Sequence, residues 1–184
     1  VHASRQHGSP AGAFTATAVT VEDNLATANV GGIQASGSTV ISGSVIRRNQ
    51  ASAAAGNYAG GLLLINANAL VANTVISGNS AGYAGGLYVY NGPGRLYDSA
   101  VYANTAIQQA GGGINADTAY LTISRTAIYS NSASGPVFPY GGGIYIGGGM
   151  AMILGGIIVP YTSAGGVVTI PLTSISVFPW QYLF

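Results

Sequence analysis

The chain contains no cysteine and no lysine, and charged residues make up only 5% of its 184 positions. Each shortage excludes something. Without cysteine there is no disulfide framework and no thiol chemistry. Without lysine there is no amine base or Schiff-base nucleophile, since all five basic residues are arginine. A net charge of +1, against a charged fraction of about 25% in ordinary soluble domains, gives little electrostatic reason to bind nucleic acid or an anionic membrane. It also leaves little repulsion to keep copies apart. No Asn-x-Ser/Thr sequon is present. Nor does any stretch sustain an apolar period of 3.6 residues, which argues against helices.

What the chain does have is glycine, 29 residues of it, and a repeated couplet. An aliphatic residue stands three places before an asparagine at Val21/Asn24, Ile46/Asn49, Ile76/Asn79, Val101/Asn104 and Ile128/Asn131. The asparagines are spaced 25, 30, 25 and 27 residues apart. Each is followed by a glycine pair and an aliphatic residue: Gly31-Gly32-Ile33, Gly60-Gly61-Leu62, Gly85-Gly86-Leu87, Gly112-Gly113-Ile114 and Gly142-Gly143-Ile144. Self-similarity at such a period marks a repeat architecture.

Between the signals lie stretches of three to six residues rich in Val, Ile, Thr and Tyr, bounded by Gly, Asn and Ser, which is the pattern of strands. Three short strands per turn, with no room for crossover helices, predict an all-β fold: a right-handed parallel β-helix of about six coils. Residues 1–12 read as a flexible polar lead, 13–147 as the repeats and 148–184 as an atypical apolar strand segment that caps the solenoid or serves assembly. Stacked coils bring equivalent residues about 4.8 Å apart. Asn24, Asn49, Asn79, Asn104 and Asn131 should then form an inward amide ladder, asparagine also tolerating a left-handed corner. Gly32, Gly61, Gly86, Gly113 and Gly143 should form corners with positive φ and close coil approach. The same register sets Glu22 and Asp23 beside Arg47 and Arg48, and Asp98 beside Arg125.

The insertions, Ala51–Ala59 and Ser132–Tyr140, fall between the Asn and the glycine pair, where solenoid loops form binding faces or do least harm. Tyr102 and Tyr129 fall one residue after the aliphatic of the Asn motif, Tyr88 and Tyr145 after the Gly signal, and alternation puts all four outward. They read either as an aromatic contact stripe or as good strand formers on a sheet surface. Trp180 and Phe184 close an uncharged C-terminal segment, and a solenoid end that is apolar rather than polar implies a cover, from its own last strands or from another subunit. Glycines and a proline break this segment, so it is no transmembrane helix.

The Gly-Gly-aliphatic and aliphatic-x-x-Asn couplet resembles the repeats of chlamydial-type polymorphic outer-membrane proteins, and more widely those of bacterial secreted right-handed β-helix proteins, over residues 14–147. Where the family repeat usually carries Phe, this chain has Val21, Ile46, Ile76, Val101 and Ile128. The resemblance implies export and adhesive or structural work at the cell surface, with no catalytic residues.

Chemistry is sparse. Glycan cleavage needs paired carboxylates about 5–10 Å apart. The acids are Glu22, Asp23, Asp98 and Asp117, of which the first three face arginines and Asp117 lies on another face from Asp98. His2 and His7 in the polar lead read as solvated rather than as metal ligands. No cofactor is expected. The reading is a non-catalytic extracellular structural protein, a self-associating subunit of a filament or surface layer. The alternative is an adhesin or glycan-binding β-helix fragment of a larger cell-surface protein. The expected partners are copies of itself, as homo-oligomer or homopolymer, and a cell-surface glycan. A start at Val1 rather than Met reads as a processed or partial product.

Overall fold

A computed structural model describes residues 12–52, 58–108, 111–134 and 141–158. These fold as a parallel β-solenoid of about five turns, close to the six expected from the repeat, with no helix. Each turn is built from four strand segments rather than three. The first face stacks residues 33–36 and 62–65 with Leu87–Tyr90, Ile114–Asp117 and Ile144–Ile146. The second stacks Ala13–Thr17, residues 38–42 and 67–72, Pro93–Tyr97, and residues 119–124 and 149–154. The third stacks Thr20–Glu22, Val45–Arg47, Val75–Ser77, Ala100–Tyr102, and residues 126–129 and 156–158. The fourth, the segment not foreseen, is two residues deep: Leu25–Ala26, Gln50–Ala51, Ser80–Ala81, Thr105–Ala106 and Ser132–Ala133.

Strand alternation sends every second side chain inward, so the core is a set of columns. The aliphatic residue after each glycine pair forms one: Ile33, Leu62, Leu87, Ile114 and Ile144 are at most 1% exposed. Ile46, Ile76, Val101 and Ile128, three residues before each Asn, form another and are fully buried. Burying each such side chain is worth about 1.5–3 kcal/mol.

The corners turn through single left-handed residues. At the corner between the third and fourth faces these are Asp23, Arg48, Gly78, Ala103 and Ser130, each immediately before a ladder Asn. Asparagine itself does not take the left-handed conformation there. The residue ahead does, at about 1–2 kcal/mol where it is not glycine. The second repeat-wide expectation also changes in detail. No glycine of the five pairs has positive φ among the described residues; the pairs are there for space. A Cβ on Gly61 would stand 2.7 Å from the carbonyl oxygen of Gly86 and 2.9 Å from Nδ2 of Asn79. Sequence placed a breakdown of the repeat from residue 148, but residues 149–158 continue it, pairing with 119–128. Residues 1–11 and 159–184, which hold His2, His7, Trp180 and Phe184, lie outside the described residues.

Candidate functional site

The asparagines form one continuous column. Asn24 donates from its backbone N–H (3.2 Å) and from Nδ2 (2.7 Å) to Oδ1 of Asn49. Asn49 does the same to Asn79, Asn79 to Asn104, and Asn104 to Asn131, all between 2.9 and 3.1 Å. The second amide hydrogen points back. Nδ2 of Asn49, Asn79, Asn104 and Asn131 donates to the carbonyl of Val21, Ile46, Ile76 and Val101 in the turn before. Asn49, Asn79 and Asn104 therefore each use both amide donors and two acceptor sites, which is what lets a polar group lie 0–1% exposed without penalty. This also explains the aliphatic-x-x-Asn spacing: the aliphatic residue supplies an inward side chain and the carbonyl for the next asparagine.

A second column, not anticipated, runs along the corner before the third face. Ser44, Thr74, Ser99 and Thr126 each donate a hydroxyl to the carbonyl two residues back, and each oxygen accepts the backbone N–H of the turn before. The signal was present: a hydroxyl residue stands five places before each of the four later ladder asparagines.

Asp23, Arg48, Asp98 and Arg125 stand on stacked left-handed corners, and Glu22 and Arg47 end the strands just before the first two. Arg47 meets Glu22 at 2.6 Å, Arg48 bridges Glu22 and Asp23, and Arg125 makes two bonds to Asp98. The guanidinium beside each of Asp23 and Asp98 holds that carboxyl below its ordinary value, chiefly through the hydrogen bond. These pairs are exposed to solvent, which screens them, so they add little to stability.

The tyrosines do not form one stripe. Tyr102 and Tyr129 stack face to face on the third face with centroids 4.9 Å apart. Tyr145 sits partly buried on the first face. Tyr88 points away from the main core yet is only 5% exposed, because the corner loops of two successive turns, one carrying Tyr58 and the other Tyr83 and Ala84, pack against it. Tyr58 lies 5.7 Å from Tyr83 and 5.9 Å from Tyr88, and Tyr88 lies 6.2 Å from Tyr90. Burial, then the nearby Asp117 carboxylate, pushes the Tyr88 hydroxyl well above its ordinary value, so it remains a hydrogen-bond donor. Between Tyr58, Leu63, Ile65, Tyr88 and Tyr90 lies an open pocket of about 250 Å³.

Among the described residues no group of three His, Cys, Asp or Glu side chains could hold a metal ion, and no helix is long and apolar enough to cross a membrane. No family model, curated protein or solved structure matches this chain.

Proposed function

We propose that the protein is a non-catalytic structural subunit, extracellular or at a cell surface, that associates with copies of itself through the edge of its first described turn. One observation carries this reading: among the described residues, one edge of the first turn pairs with nothing. Ala13–Thr17, Thr20–Glu22 and Leu25–Ala26 pair, among the described residues, only with the second turn. Asn24 gives its donors to Asn49, while its Oδ1 accepts from no described residue, and Leu25 beside it is 75% exposed. Such an edge is a template for another chain. Low charge opposes association only weakly. Three of the four acids face arginines, which favours a structural role for them over acid–base chemistry. The likeness of the couplet to secreted β-helix repeats supports export.

Sedimentation velocity and electron microscopy test the proposal. The protein should form larger species as concentration rises. Leu25→Glu combined with Thr15→Pro should disperse them while the far-ultraviolet circular dichroism of the sheet persists. Monomers at the highest attainable concentration would overturn it.

A further inference from the structure

Along the first face the outward positions change character from turn to turn. Gln34 and Ser36 stand in register with Leu63 and Ile65, these with Tyr88 and Tyr90, and these with Asn115 and Asp117. Four apolar or aromatic side chains thus form a block between two polar rows. The loop corner folds over one side of the block, held by the Ala59–Ala84 bridge and by the Ala84 N–H donating to the Tyr58 carbonyl. Outside the main core, Leu63 and Tyr88 pack with Ala59 and Ala84 in a second, smaller cluster at this corner. It leaves Tyr58 38% and Tyr90 42% exposed around an open pocket.

The pocket's chemistry narrows its occupant. None of the five lining residues is charged. Its volume of about 250 Å³ falls below the roughly 300–1,000 Å³ of sites for drug-sized ligands, so it suits a single ring. Tyrosine offers a flat apolar face with a hydroxyl at its rim. Polar side chains flank this apolar floor, Gln34 and Ser36 in register on one side and Asp117 on the other. The Asp117 carboxylate opposes anions. A ligand with an apolar C–H face and a rim of hydroxyls answers all of these at once. The geometry points to a binding site for one pyranose ring of a neutral glycan, stacked against Tyr58 and Tyr90 with its hydroxyls toward the polar rows. This site is independent of the open first turn.

Saturation-transfer NMR with the methyl glycosides of glucose, galactose, mannose and N-acetylglucosamine, and with methyl glucuronoside, tests it. The Leu25→Glu protein is run in parallel, so that the result does not depend on self-association. At least one neutral glycoside should receive saturation on its ring C–H protons, and the glucuronoside should bind more weakly. Tyr90→Ala, a change at an exposed ring, should weaken binding roughly tenfold, while Tyr90→Phe stays within a few-fold and Tyr129→Ala binds as the parent does. Absence of transfer to every neutral glycoside, or transfer that Tyr90→Ala leaves unchanged, would overturn the assignment. So would equal binding of the glucuronoside.

Discussion

A side chain on Gly86 would collide with the amide of Asn104: a Cβ built there stands 3.0 Å from both Cγ and Nδ2 of that asparagine, and 2.6 Å from the carbonyl oxygen of Gly113. The same holds for Gly61 over Asn79 and Gly113 over Asn131. The two halves of the repeat are therefore one device. The ladder asparagine of one turn fills the space that the glycine of the preceding turn leaves open, and the residue after it meets the first glycine of the pair.

Gly86→Ala should accordingly destabilise the fold by about 1–3 kcal/mol through overpacking against backbone that cannot retreat. Gly94→Ala is the control. Its Cβ would meet only side-chain methyls, Cδ1 of Leu121 and Cγ1 of Val89, each at 3.3 Å, and since those can shift its cost should be smaller than that of Gly86→Ala. Urea unfolding of the two variants measures the difference; equal costs would show that the close approach is not what selects glycine.

Asn79→Ala removes the acceptor for two donors of Asn49 and the donor for the Ile46 carbonyl, all buried. Unsatisfied groups of this kind cost about 1–3 kcal/mol each, so the total should reach at least ~3 kcal/mol. Asn24→Ala, at the exposed end of the same column, should cost under about 1 kcal/mol. Chemical denaturation should rank the two in that order.

Thr39 is 1% exposed and its Oγ1 has no partner. Thr39→Val keeps the shape and removes a desolvated hydroxyl, so stability should rise by roughly 1 kcal/mol. A loss of that size on thermal unfolding would mean the hydroxyl is satisfied after all.

The pH dependence has a definite sign. Asp23 and Asp98 are lowered in the folded state, so their contribution is present above the unfolded pKa of about 3.9 and disappears as pH falls through the lower folded value. Thermal stability should change little on their account between about pH 5 and 8 and fall below about pH 4, less steeply at high salt. The Asp23→Asn/Asp98→Asn double variant should show a shallower acid limb. An unchanged limb would mean that these pairs make no contribution.

Much of the fold was legible because stacking makes sequence spacing a spatial coordinate. Once Asn24, Asn49, Asn79 and Asn104 are aligned, Arg48 must fall over Asp23, with 25 residues separating both pairs. Arg125 likewise falls over Asp98 one 27-residue turn later. The Ser44, Thr74, Ser99 and Thr126 column was equally regular but hidden, since serine and threonine are common at any bend. Tyr88 was misread because alternation gives direction, not exposure. What covers it, the corner loops with Tyr58 and with Tyr83, lies in the part of the repeat where length varies most.

Sequence alone determined the period, the register and the identity of the inward columns, because each depends only on which residue sits over which. Tertiary structure decided the rest: that the glycine pairs answer to crowding rather than to positive φ, that a fourth two-residue strand completes the turns through Ser132–Ala133, and that two corner loops pack at Leu63 and Tyr88 to leave a pocket. Those depend on the cross-section of the coil, which is set by how far apart packed backbones come to rest, and no spacing along the chain encodes that distance.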